Sequence, residues 1–181
     1  MALCPALAQA HVLPGQSSGL ASGLTHPITG LDHLLAMIAV GLWAAQRGER
    51  ALWIAPLTFV SVMAIGGALG MAGMSVPFVQ GGILASVLVL GVLIAAAVRL
   101  PMAASVAVLA LFALFHGHAH GTEMAQSASS VIYGLGFVLS TAGLHGIGIA
   151  LGLAARQNGQ GLAVRYAGGA IAVCGLVLCL L

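Results

Sequence analysis

The stretch His26-Pro27-Ile28-Thr29-Gly30-Leu31-Asp32-His33-Leu34-Leu35-Ala36-Met37 sets two imidazoles and a carboxylate at the head of a long apolar segment. Only 4% of the 181 residues are charged. Ionisable side chains inside an apolar span are costly to bury, so by default they mark an ion or proton site. The segment itself reads as a membrane span, because ~20 apolar residues suffice for a helix to cross a ~30 Å hydrocarbon core.

The rest of the chain repeats that character. It is 61% hydrophobic, with no Lys and five Arg, and its mean hydropathy is +1.14. Soluble domains carry roughly a quarter charged residues, so this is an integral membrane protein. The runs are continuously apolar rather than alternating, which predicts helices and not a barrel. Polar and Pro/Gly punctuation separates six spans, at 19–45, 51–72, 77–98, 101–120, 128–155 and 162–181. The expected fold is all-α, a polytopic bundle of about six transmembrane helices forming one domain over residues 11–181.

Charge distribution predicts the orientation. Arg47 and Arg50 fall between spans one and two, Arg99 between three and four, and Arg156 and Arg165 around the turn between five and six. All lie in odd-numbered connections, which the positive-inside rule places in the cytoplasm, with both termini periplasmic. A net charge of +2 without a basic stripe excludes a nucleic-acid partner. Residues 1–10 end in Ala8-Gln9-Ala10 and read as the remnant of a signal peptide whose start lies upstream; cleavage there leaves His11 at the mature N-terminus. Cys4 lies too near the start for lipid attachment, and Cys174 and Cys179 read as small hydrophobes in the last span.

With that topology, the histidines gather in one half of the membrane. His26, Asp32 and His33 occupy the outer half of span one. His116, His118 and His120 end span four, Glu123 follows them, and His145 falls near the middle of span five. In an unbroken helix His26 and His33 share a face, continued by Met37, while His116, His120 and Glu123 form a stripe on span four that leaves His118 pointing elsewhere. Asp32 can bind an ion directly or orient an imidazole. His11, next to a free terminal amine, would make a further chelate.

Imidazoles with a few carboxylates suit nickel, cobalt, zinc or copper, whereas magnesium and calcium prefer oxygen shells. Structural roles compete at several positions. His118, and also His145, read equally as hydrogen-bonding struts between helices, Met37 as core and Glu123 as a solvated loop acid. Gly66/Gly70 and Gly148/Gly152 form small-xxx-small faces for close helix approach. Gly143-Leu144-His145-Gly146-Ile147-Gly148 reads either as a loosened turn exposing carbonyls to an ion or as close packing.

The pattern His26-Pro27-x-x-Gly30-x-Asp32-His33-x-x-x-Met37, followed by Val40-Gly41, resembles the signature of the HupE/UreJ family of small membrane proteins associated with hydrogenase and urease maturation. Phe115-His116-Gly117-His118-Ala119-His120-Gly121-Thr122-Glu123 and Gly143-Leu144-His145-Gly146 are also similar to family members, so the resemblance covers most of the chain. It implies a bacterial inner-membrane permease that imports nickel, or sometimes cobalt. By position it implies functional roles for His26, Asp32 and His33, with His116, His120 and Glu123 as further candidates.

No resident cofactor and no enzymatic activity are expected; the partners are a divalent transition-metal ion, the lipid bilayer and a second copy of the chain. There is no H-E-x-x-H sequence, and no Ser or Cys nucleophile stands against a base, which ranks an intramembrane hydrolase last. A haem-binding electron carrier, with His26 or His33 paired to His145, and an accessory protein that binds metal without transporting it compete more closely with the permease.

Overall fold

The structure is a computed structural model and describes residues 19–124 and 130–181. Among these residues all regular structure is helical: α1 Leu20–Thr29, α2 Leu31–Arg47, α3 Ala51–Met71, α4 Val79–Ala95, α5 Met102–Met124, α6 Ser130–Gln157 and α7 Gly161–Leu180. The signal-like leader, Cys4 and His11 lie outside the described residues. Helices α3, α5, α6 and α7 are each long and apolar enough to cross a membrane, α1 and α2 pass the same test together, and α4 is a shorter apolar helix. The protein is a polytopic helical membrane bundle, and the expected spans coincide with these elements to within a few residues.

The first span departs from expectation. It is not one helix over 19–45, because the chain turns by 85° between α1 and α2. The hinge is Gly30, which takes an extended conformation with φ −87° and ψ 115°. Just beyond it, the Asp32 carboxylate accepts the His33 backbone N–H at 2.8 Å, satisfying one of the donors that a helix start leaves unpaired. A Cβ on Gly30 would stand 3.0 Å from Asp32 Oδ1 and 3.2 Å from His33 Nδ1, so the bare residue leaves room for that pair. His26 and His33 therefore lie on two helices, and the shared face inferred from their spacing of seven does not exist.

Helices associate in a membrane without a hydrophobic force between them, so they depend on close packing through small residues. Three pairs do this here. Gly66 and Gly70 of α3 lie against the Leu114 and His118 carbonyls of α5, while Gly117 and Gly121 of α5 lie against Met63 and Gly67 of α3, so the two helices run parallel. Gly41 of α2 meets Gly148 of α6, and Gly152 meets Ala45, again in parallel. Gly91 of α4 opposes Ala172, while Gly168 and Gly175 of α7 oppose Ile94 and Leu88, an antiparallel pair. The short α1 rests on the start of α6 through Gly23 and Gly136.

The glycine-dense segment of α6 is ordinary helix, and Gly148 is its packing position. The helix runs without a break from Ser130 to Gln157, which overturns a loosened turn around His145. Gly148 faces α2, whereas a Cβ on Gly143 or Gly146 would meet nothing within 4 Å.

Arginines gather at one end of the bundle. Arg47 donates to the Leu100 carbonyl, Arg156 to the Ala45 carbonyl at 2.8 Å and Arg165 to the Ala95 carbonyl at 2.8 Å. Ala45 and Ala95 lie in the last turns of α2 and α4, where carbonyls are left open and a cation also meets the negative end of the helix dipole, whereas Leu100 belongs to the connection between α4 and α5. Trp53 and Tyr166, at the same end, are exposed, as expected of aromatic anchors at a membrane interface. The fully buried core, including Met37, Val40, Trp43, Phe59, Val87 and Leu90, fills the centre.

These contacts predict opposite outcomes for two alanine substitutions. Gly117→Ala forces a methyl into the Met63 carbonyl and should destabilise the bundle by about 1–3 kcal/mol, as overpacking does. Gly143→Ala enters open space and should leave stability unchanged or raise it by up to about 1 kcal/mol through helix propensity. Thermal unfolding in detergent micelles checks both.

Candidate metal centre

The break at Gly30 and the end of α5 together build the site. α1 supplies His26, the first turn of α2 supplies Asp32 and His33, and the last three turns of α5 supply His116, His120 and Glu123. α5 remains helical through Gly117 and Gly121 to Met124, so the expected stripe exists. Its rings meet those of the broken span: His33 lies 5.1 Å from His116 and 4.6 Å from His120 between centroids. His26 lies 4.7 Å from His120 and 6.3 Å from His33.

Three rings are fixed in one tautomer by what holds Nδ1. His33 Nδ1 donates to Asp32 Oδ1 at 2.6 Å, and His116 Nδ1 donates to the Phe112 carbonyl at 2.9 Å. His120 Nδ1 lies 3.3 Å from Glu123 Oε2. Carbonyls and ionised carboxylates only accept, so the proton sits on Nδ1 and the lone pair on Nε2. All three Nε2 atoms are buried and lack a hydrogen-bond partner. Buried polar atoms are nearly always paired, and each exception requires an explanation. A bare imidazole lone pair, held by a carboxylate or carbonyl behind the ring, is how proteins present histidine to a metal.

Glu123 occupies the mouth. Its Oε2 lies 3.3 Å from His26 Nε2 as well as 3.3 Å from His120 Nδ1, and its side chain remains half exposed. His26, His120 and Glu123 can each offer a ligand atom within 4.8 Å of the other two. Within the trio only Glu123 is exposed and His26 part-exposed; His120 is buried, as is His116.

The remaining sequence candidates are placed differently. His118 Nε2 bonds the Met74 carbonyl at 2.6 Å, tying α5 to the α3–α4 connection as a strut. Met37 lies in the apolar core. His145 is buried on α6 and touches the Phe59 ring at 5.3 Å rather than the cluster. The walls were not foreseen: Phe137 covers His120 at 4.0 Å, Tyr133 flanks His26 at 5.9 Å, and Phe59 abuts His116 at 5.5 Å. Apolar aromatics in an apolar chain give no sequence signal that they line a site. A cavity of about 260 Å³ between α3, α5 and α6, lined by Met63, Met71, Leu135 and Val138, reaches His120 from the side.

Four imidazoles and two carboxylates, with no thiolate among them, form a nitrogen-rich donor set suited to a borderline divalent ion. Similarity to known proteins agrees with this architecture. Residues 1–178 match the family described as HupE / UreJ protein. Protein HupE of Rhizobium leguminosarum bv. viciae is 44% identical over 176 residues, covering 96% of this chain and 91% of that protein. No solved structure matches. A whole-length family match and a relative of nearly equal extent lead to one assignment: the chain belongs to the HupE/UreJ family.

Proposed function

We propose that the protein is a secondary permease of the bacterial inner membrane that imports nickel, and cobalt as a close second, for metalloenzyme maturation. The observation that carries this reading is the buried histidine cluster, with three bare Nε2 atoms at the end of the bundle opposite the arginines. Positive residues stay in the cytoplasm, so the cluster faces the periplasm, as do both termini. Glu123 and the partly exposed His26 receive the hydrated ion, and His120, His33 and His116 then replace its water. That exchange lowers the barrier to moving a divalent charge through hydrocarbon. Asp32 acts behind His33, keeping Nε2 free and raising its basicity.

The ring order argues against the haem reading. His33, His116, Phe59 and His145 follow one another in contact, so His116 and Phe59 fill the space that a haem clasped between His33 and His145 would need. A metal-binding accessory protein would share the cluster and differ in showing no flux.

Radioactive nickel uptake by cells expressing matched membrane levels of each chain tests the proposal. His33→Ala should abolish uptake. Asp32→Asn should reduce it about 10–100-fold, the usual effect of removing a partner behind a metal-binding histidine. Cobalt should compete better than zinc. Binding without uptake by the intact chain would instead support the accessory role.

A further inference from the structure

His145 stands apart from the cluster and is more completely without partners than any of its rings. It is 1% exposed, and neither Nδ1 nor Nε2 has a hydrogen-bond partner. A histidine acting as a strut would spend at least one nitrogen on a neighbouring helix, as His118 does on Met74. Its position is well defined. Phe59 and Met63 are one turn apart on α3, and Thr141 and His145 are one turn apart on α6. Phe59 touches His145 at 5.3 Å, and the Thr141 hydroxyl approaches the Met63 sulfur at 3.9 Å. The two faces therefore run antiparallel, with the Thr141–Met63 contact on the cluster side of His145. Thr141 and Met63 are themselves buried. An imidazole, a hydroxyl and a thioether thus line one buried stretch near the middle of the membrane.

Between His145 and the cluster lies one ring. Phe59 is fully buried and sits edge-on to both His116, at 5.5 Å, and His145, at 5.3 Å. Among the described residues no direct ring contact joins those two histidines. An ion leaving His116 for the cytoplasmic side meets Phe59, which lies against His116 and His145 alike. Apolar constrictions in ion pathways hold back hydrated ions until the side chain yields, and conduction needs successive sites that each bind weakly enough to release.

We infer that His145 is a second, inner station for the permeating divalent metal ion, and that the Phe59 ring is the barrier separating it from the outer histidine cluster. This rests on the permease reading above and adds to it a two-step path through the bundle. The outer cluster sets the affinity for external metal, and the inner station sets how fast bound metal moves on.

The test is nickel influx into proteoliposomes containing the full chain, measured over a range of outside nickel concentrations, together with equilibrium nickel binding in detergent. His145→Ala and His145→Gln should lower the maximal flux about tenfold or more, as the loss of a supporting metal contact does. Both should leave binding at the outer cluster and the half-saturating concentration unchanged. Phe59→Ala should raise the maximal flux. Full flux in His145→Gln, or loss of flux only in step with lost binding, would overturn the station by showing a packing role. Flux at or below that of the intact chain in Phe59→Ala would overturn the barrier. Absence of flux from the intact chain defeats the permease reading and the station with it, whereas equal flux in the intact chain and both His145 variants defeats the station alone.

Discussion

An imidazole placed in hydrocarbon has two nitrogens and no water to satisfy either. The architecture of the histidine cluster follows from giving one nitrogen of each of its rings a partner and leaving the other open to whatever enters. Asp32, the Phe112 carbonyl and Glu123 each take an Nδ1, and in doing so they determine which lone pair faces inward. The partners are unlike in kind but alike in effect. One is a carboxylate on the adjacent residue, one a carbonyl a helical turn back and one a carboxylate a turn ahead. Placing all three within a few ångströms of one another requires helices that approach closely. The glycine faces of α3 and α5, and of α2 and α6, therefore serve the site as much as the bundle.

The break at Gly30 resolves a conflict between span and site. A straight helix over the first span would set His26 and His33 on one stripe, two turns apart along the membrane normal, where they could serve only in sequence. Bending the chain by 85° moves His26 sideways onto α1, against His120 and the start of α6, and leaves His33 to head α2. The carboxylate of Asp32, bonded to the His33 backbone and ring together, both starts the new helix and orients the ring.

Much of this was legible in the chain itself. Membership of the bundle, the approximate limits of its helices, the segregation of Arg and the grouping of His116, His120 and Glu123 follow from hydropathy and from spacings of three and four. Those signals are local, and a helix preserves them. The bend could not be read, because Gly30 in an apolar segment looks like any of the glycines that pack in straight helices here. The reverse holds at Gly143 to Gly148, where glycine density suggests irregular backbone and the structure has a continuous helix. Glycine marks close approach, strain or nothing, and only the neighbouring helix decides which. Phe59, Tyr133 and Phe137 were invisible for a related reason, since their importance lies in which rings they touch.

The arginine contacts carry a mechanical consequence. Arg47, Arg156 and Arg165 each reach from one helix to a backbone carbonyl elsewhere, so α2, α6, α7 and the region joining α4 to α5 are laced together at a single end. At the opposite end the polar links between helices run largely through histidine, whose bonds change with protonation and with whatever the rings hold. Stiffness is therefore distributed unevenly along the membrane normal. The base behaves as a clamped ring and the mouth as its free rim, so thermal fluctuations that widen the bundle will be largest at the histidine end and smallest at the arginine end.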